Sequence, residues 1–62
     1  MNNVYVVKYN RWDLGTVALK KGDEVTITKI VSSFVVEINS NYFANPIRVE
    51  ICDLLVNCEA KK

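Results

Sequence analysis

The chain has 62 residues, 50% of them hydrophobic, and a formal net charge of +1 at pH 7. This length leaves room for one domain, and the plentiful apolar residues with nearly balanced charge argue against disorder. A dedicated DNA-binding domain usually carries a clearer basic stripe. Val and Ile outnumber Leu and Ala, which favours strands because β-branched side chains pack well on a pleated surface.

The first half of the chain predicts three strands separated by a loop and a turn. Val4–Tyr9 alternates with both faces substantially apolar, as in a strand of a small barrel. Asn10–Gly15 contains Asn, Asp and Gly and is typical of an ordered loop. A short strand over Thr16–Leu19 leads into a turn at Lys20–Asp23, and the next strand covers Glu24–Val31.

The clearest pattern is a hairpin over Leu19–Ile38. Gly22 in its entry turn is expected to take a positive φ angle, which is costly for any residue with a Cβ. Ser32-Ser33 marks the reversal, and because serine is a weak former of two-residue hairpin turns, we expect a longer loop. Alternation predicts an inner face made of Val25, Ile27, Phe34, Val36 and Ile38.

The second half predicts one more strand, a helical turn and a closing strand. Pro46 cannot donate to a ladder and is expected at an edge or turn. The strand Ile47–Ile51 follows, with its three apolar residues facing inward. Asp53–Leu55 is expected to form one helical turn capped by the aspartate. Val56–Cys58 is the predicted last strand.

These elements predict an all-β fold: a small antiparallel barrel of five to six strands with one short helical turn. The domain is predicted to span residues 1–58, followed by a frayed polar tail at residues 59–62. An OB-type barrel is the alternative, although that fold is usually longer.

The order of the elements resembles a Src-homology-3-like small barrel. In that family a first strand leads into a long loop, a Leu-x-x-Gly-Asp turn enters a central hairpin, and a strand, a helical turn and a closing strand follow. The matching segments are VYVVKY, NRWDLGTVAL, LKKGDEVTI, SSFVVEI, PIRVEI and DLLVN.

The chain departs from the peptide-binding branch of that family at its ligand-contacting positions. It lacks the Ala-Leu-Tyr-Asp-Tyr start, and Phe34-Val35 stands where that branch carries paired tryptophans. Residues Ile51–Leu54 replace the Pro-Ser-Asn-Tyr of the proline-rich ligand groove. The resemblance therefore implies the fold and not polyproline binding.

Residue types that catalysis and metal binding require are sparse. The chain contains no histidine, the commonest general base and a common metal ligand. Gly15 and Gly22 alone cannot form a glycine-rich phosphate loop. Cys52 and Cys58 lack the Cys-x-x-Cys spacing and are expected to be reduced, buried or half-buried apolar groups. We predict a protein that is not an enzyme, with no catalytic residue, metal or cofactor.

The sequence shows neither a secretion signal nor a membrane span. The start, MNNVYVVKYN, lacks the charged beginning and apolar run of a signal peptide. No apolar run approaches the ~20 residues of a membrane helix. We expect a cytoplasmic protein without membrane contact.

Trp12 is the most informative single residue, because it lies between Arg11 and Asp13 in a polar loop. Exposed Trp, Tyr and Arg dominate binding hot spots, whereas a buried Trp12 would close one end of the barrel. Both interpretations stay open from sequence. The candidate binding residues are Tyr5, Tyr9, Arg11, Trp12, Lys20, Tyr42 and Phe43.

We favour a non-enzymatic binding module. It is expected to bind a partner protein through the first loop (Asn10–Gly15) and the Tyr42–Phe43 segment. The Asn-, Lys- and Ile-rich composition is typical of low-GC genomes and suggests a small phage or mobile-element protein acting on a host protein. Two alternatives remain: a structural homo-oligomer, and a nucleic-acid-binding barrel with stacking aromatics beside lysines. The second alternative would use Tyr5, Tyr9, Trp12, Lys8 and Lys20.

Overall fold

The computed structural model of the protein describes residues 3–61. In chain order its elements are β1 (Val4–Val7), β2 (Trp12–Asp13), β3 (Ala18–Leu19), β4 (Glu24–Ile30), β5 (Val35–Asn39), β6 (Ile47–Glu50), α1 (Ile51–Asn57) and β7 (Cys58–Ala60). The prediction of a mostly β protein with one short helix is confirmed.

Five strands form one sheet in the order β6-β5-β4-β1-β7, and β2 and β3 form a separate two-stranded ribbon. All recorded pairings are antiparallel. Within residues 3–61 no pairing joins the edge strands β6 and β7, so the predicted closed barrel is not found. β6 and β7 lie at the two ends of the sheet order and are connected along the chain by α1.

One core holds the sheet, the ribbon and the helix together. Each strand and α1 contributes at least one buried side chain to it, which ties short elements into a single domain. The buried residues are Val7, Trp12, Leu19, Val25, Val36, Ile38, Val49, Leu54 and Cys58. The predicted inward positions Val25, Val36 and Ile38 are therefore confirmed.

The loop predicted over Asn10–Gly15 is in fact half of a small hairpin. Trp12 pairs with Leu19, and Asp13 pairs with Ala18. The backbone N–H of Leu14 donates to the C=O of Val17 at 2.8 Å and closes the turn. The polar residues around Trp12 obscured this strand, which is only two residues long.

The central hairpin contains a β-bulge that sequence alternation did not reveal. The register of β4 against β5 shifts between Ile27 and Lys29, which leaves Thr28 as the extra residue. The Thr28 hydroxyl donates to the backbone C=O of Glu37 at 3.3 Å. A bulge reverses the alternation beyond it, so Ile30 lies opposite Val36 on the inner face.

Phe34 was predicted to point inward, and this prediction is wrong. β5 begins at Val35, and the Phe34 side chain is 73% exposed. The connection from β4 runs through Val31–Phe34, where the N–H groups of Val31 and Ser32 both donate to the C=O of Val35. This longer loop carries Phe34 out of the alternating strand.

The helix is longer than predicted and is capped differently. α1 covers Ile51–Asn57, with Glu50 at the N-cap and no side-chain capping bond. Asp53 lies in the first turn, where its carboxylate also faces the positive end of the helix dipole. Ile51 was assigned to the preceding strand but is the first helical residue.

The chain end was predicted as a frayed tail, yet part of it forms the sheet edge. β7 covers Cys58–Ala60 rather than Val56–Cys58, because helix α1 extends to Asn57. The backbone N–H of Lys61 donates to the C=O of Val4 at 2.9 Å, and its side chain pairs with Glu24. The remaining tail residue, Lys62, lies outside the described residues.

Gly22 takes φ +95° in the turn before β4, as predicted. Its N–H donates to the C=O of Val7, and the Asp23 carboxylate accepts from the N–H of Lys20. No atom lies within 4 Å of a Cβ built at Gly22, so the cost of a side chain there is conformational.

We expect Gly22→Ala to lower the free energy of unfolding by about 1–2 kcal/mol, because a Cβ disfavours the left-handed region. Gly22→Asn should cost less, since asparagine tolerates that region better. Urea denaturation followed by circular dichroism measures both variants. Equal stability of wild type and Gly22→Ala would contradict the turn geometry.

Among residues 3–61, no helix has the length and apolarity needed to cross a membrane.

Candidate protein-binding surface

Trp12 belongs to the core and is not a surface residue. Its side chain is 4% exposed. The indole N–H donates to Oδ2 of Asp53 at 3.3 Å, which connects the β2–β3 ribbon to α1. Asn57 also donates its side-chain N–H to Oδ1 of Asp53, at 3.1 Å. Of the two interpretations from sequence, the structure agrees with the buried tryptophan.

The other candidates in the first part of the chain do not gather around one site. Tyr9 is 52% exposed, with the Lys8 ammonium 5.6 Å from its ring centre. Tyr5 is half-buried and packs against the core. Lys20 is exposed beside the Gly22 turn. Of the three aromatics proposed to stack nucleic-acid bases, only Tyr9 is largely exposed.

Arg11 is exposed and forms an ion pair with Asp13 at 3.3 Å. The backbone N–H of Gly15 donates to the other Asp13 oxygen at 2.8 Å. This backbone hydrogen bond, and then the Arg11 guanidinium, hold the pKa of the Asp13 carboxyl below its usual value. These contacts order the surface of the hairpin, and they engage the Arg11 charge within the molecule.

Tyr42 and Phe43 do meet the first loop, in a cavity of about 630 Å³ that we call the first-loop groove. Tyr42 is 62% exposed, whereas Phe43 is half-buried against the core. The first-loop groove is lined by Leu14, Thr16, Val17, Tyr42, Phe43, Ala44, Asn45, Pro46 and Ile47. The structure thus brings together part of the two predicted segments, without Arg11 or Trp12.

A second cavity, of about 430 Å³, lies between the sheet and α1, and we call it the helix groove. Its lining is mostly apolar, as expected of binding clefts. The lining residues are Asn3, Tyr5, Ile27, Thr28, Lys29, Ile30, Val36, Ile51, Leu54 and Leu55.

Two residues that line the helix groove, and a third whose backbone is bonded to its lining, have large and exposed apolar side chains. Ile30 is 74% exposed and Leu55 is 53% exposed, and both line the cavity. Phe34 is 73% exposed. Its backbone C=O accepts the N–H of the lining residue Ile51 at 2.7 Å, which places Phe34 at the first turn of α1. Together Ile30, Phe34 and Leu55 form what we call the apolar rim.

Sequence reasoning did not find the apolar rim. The bulge at Thr28 hid Ile30, and simple alternation assigned Phe34 to the core. Leu54 and Leu55 are identical neighbours, but in a helix they point about 100° apart, so only one can face the core. The adjacent leucines in a short predicted helix were the available signal for an exposed apolar residue.

The two thiols are free and differ sharply in environment. Cys58 is buried, and Cys52 is exposed on α1, which corrects the expectation of burial for Cys52. Burial raises the pKa of the Cys58 thiol to about 11, and the positive charge of Lys8 offsets part of this effect. A buried, protonated thiol is a poor nucleophile.

We expect a thiol reagent such as dithionitrobenzoate to modify Cys52 rapidly and Cys58 only when the protein unfolds. Absorbance counts the modified thiols under native conditions and in concentrated guanidinium. The variant Cys52→Ser should lose the rapid phase. Two thiols that react at equal rates in the native protein would contradict the burial of Cys58.

No group of three or more Cys, Asp or Glu side chains that could hold a metal ion occurs within residues 3–61. Some charged side chains form ion pairs instead, such as Arg48 with Glu37 at 3.3 Å.

Comparison with known proteins gives no assignment, since no protein-family model, curated protein or solved structure matches the chain significantly. The geometry of the chain's own surfaces is therefore the basis for a functional proposal.

Proposed function

We propose that this chain is a non-enzymatic binding module with a Src-homology-3-like architecture, and that it binds a partner protein through the helix groove. The observation that carries the proposal is the apolar rim: the exposed side chains of Ile30 and Leu55 line one apolar cavity, and the exposed Phe34 is joined through its backbone to the lining residue Ile51.

The order of elements supports the architectural part of the proposal. A first strand, a long first connection, the Lys-Gly-Asp turn and a central hairpin occur in that sequence. A further strand, a helix and a closing strand follow. This is the order that the family resemblance implies, although strands β6 and β7 are unpaired with each other among residues 3–61.

The energetics of exposed apolar groups support the binding part. Burying one such side chain contributes about 1.5–3 kcal/mol, equivalent to roughly 60–120 Å² of apolar surface. Leaving the three side chains of the apolar rim exposed to water does not stabilise a monomer. Clustered exposed apolar groups mark interaction sites. Central apolar anchors around a pocket are also where binding energy concentrates.

Because the composition is rich in Asn, Lys and Ile, we also propose that the chain is a small phage or mobile-element protein and that its partner is a host protein. A small phage or mobile-element protein that acts on a host protein would need only a compact fold and one binding surface. The single core and the apolar rim support this part of the proposal.

The test is affinity capture from host-cell lysate with three immobilised proteins: wild type, Phe34→Ala and Tyr42→Ala. Both substitutions remove an exposed aromatic ring, 73% and 62% exposed, but from different places in the fold. The captured protein is then purified, and its dissociation constant is measured for each variant. Circular dichroism checks that all three are equally folded.

We expect Phe34→Ala to weaken binding about tenfold or more, as loss of an anchor side chain does. Tyr42→Ala should bind like wild type. The reverse pattern would move the site to the first-loop groove. Recovery of nucleic acid with no protein would refute the proposal and favour the nucleic-acid alternative.

A further inference from the structure

We infer that the helix groove binds an extended apolar segment of the partner, which adds as a strand beside β4. This inference rests on the proposed function, because it specifies what occupies the same groove. Three features carry it: the direction of Ile30, the edge of β4 that has no partner strand within residues 3–61, and the limited area of the apolar rim.

The bulge at Thr28 directs Ile30 into the groove. Ile30 lies opposite Val36, which is 3% exposed, and directly opposed residues of an antiparallel pair share a face. Ile30 is thus on the core face of the sheet and yet 74% exposed. Without the bulge, regular alternation would place the Lys29 side chain there instead. Bulges recur where a strand must re-aim a side chain.

Within residues 3–61, the backbone of β4 beside this position has a neighbouring strand on one side only. The N–H of Val31 donates to the C=O of Val35. Hydrogen bonding alternates along an antiparallel ladder, so the N–H and C=O of Ile30 point away from β5. On that side, the N–H of Ile27 donates to the C=O of Asn3, the first of the described residues. Beyond it, no strand within residues 3–61 pairs with β4.

The size of the apolar rim favours a peptide segment over a second copy of the chain. The three rim side chains offer roughly 180–360 Å² of apolar surface in total. A stable homodimer buries about 800 Å² per partner, of which about 520 Å² is apolar. The buried area of about 800 Å² would be nearly a fifth of the 4413 Å² surface of this molecule. A single strand with a few apolar side chains needs far less.

Strand addition also predicts the sequence pattern of the ligand. Main-chain bonds to an exposed edge provide affinity, and pockets for alternate side chains provide specificity. The 430 Å³ groove would therefore select apolar residues at positions i and i+2 of the ligand. A helical ligand would place them at i and i+3 or i+4.

The test uses a displayed library of random dodecapeptides, selected on the wild-type protein alone. Ile30→Glu places a charge on a largely exposed side chain, so the fold is expected to persist, and circular dichroism checks this. Selected peptides are synthesised, and their dissociation constants are measured against wild type, Ile30→Glu, Leu55→Ala and the control Tyr42→Ala. Hydrogen exchange reports the protection of the Ile30 amide.

We expect peptides with apolar residues at i and i+2 that lose about tenfold or more in affinity on Ile30→Glu and none on Tyr42→Ala. Binding should slow exchange of the Ile30 amide. Groove-dependent peptides with i and i+4 spacing, or an unprotected Ile30 amide, would overturn strand addition while the proposed function stands.

Two other outcomes would identify a second copy of the chain as the occupant of the helix groove, or a binding site elsewhere. Sedimentation that shows a dimer at micromolar concentration, lost on Phe34→Ala, would identify a second copy as the occupant and overturn the inference. Peptides that bind Ile30→Glu, Leu55→Ala and wild type equally would overturn both the inference and the helix groove as the binding site.

Discussion

Replacing Trp12 with alanine is expected to leave most of the protein unfolded. Trp12 is 4% exposed and joins the β2–β3 ribbon to α1 through Asp53. Large-to-small changes of a buried aromatic cost about 3–5 kcal/mol. A core of this size supplies only about 3–5 kcal/mol of net stability, so the substitution consumes nearly all of it.

Urea or thermal denaturation measures this loss of unfolding free energy. Unfolding is followed by circular dichroism and by other signals that do not depend on tryptophan fluorescence. Trp12→Phe keeps an aromatic ring but removes the indole N–H that reaches Asp53, and should cost about 1–2 kcal/mol. Tyr9→Ala, at a 52% exposed aromatic, should change stability by less than about 0.5 kcal/mol. A well-folded Trp12→Ala variant would show that the tryptophan does not belong to the core.

The second large effect is expected at Leu54, the buried residue of α1. Leu54 is 1% exposed, whereas its neighbour Leu55 is 53% exposed. Leu54→Ala should lower the free energy of unfolding by about 2–5 kcal/mol through lost contacts and a new cavity. Leu55→Ala, the same substitution one residue along, should cost less than about 1 kcal/mol.

Denaturant titration of both leucine variants gives a direct comparison, because the removed atoms and the helix propensities are identical. Leu55→Ala should in addition weaken partner binding. Equal stability losses for the two variants would mean that α1 packs on a different face.

Much of the fold follows from local patterns in the sequence. The Lys-Gly-Asp turn predicts a positive φ angle at Gly22, and the structure has it. Alternation correctly assigns Val25, Val36 and Ile38 to the core. These predictions succeed because period-two patterning and glycine conformations are properties of a few consecutive residues.

Features that depend on partners distant in sequence could not be predicted in this way. The bulge at Thr28 is a mismatch between two strands, and neither strand shows it alone. The burial of Trp12 depends on Leu19 and Asp53. Barrel closure could not be predicted from the pattern within each strand, because it depends on whether the two ends of the sheet pair with each other.

The candidate site was the least predictable part. The sequence directed attention to aromatics in polar segments, of which Tyr42 is exposed and Trp12 is not. The apolar rim is made of Ile30, Phe34 and Leu55, each of which belongs to an apolar pattern that normally marks a core. Only the three-dimensional structure shows that these three side chains lie outside the buried core.

The most direct test of the central claim is backbone amide chemical-shift mapping of the labelled protein, titrated with the purified partner or a selected peptide. If the partner binds in the helix groove, the perturbed amides should cluster at residues 27–34 and 51–55. The amide chemical shifts of residues 14–17 and 42–47 should remain unchanged. Perturbations confined to those two latter segments, which form the first-loop groove, would contradict the account.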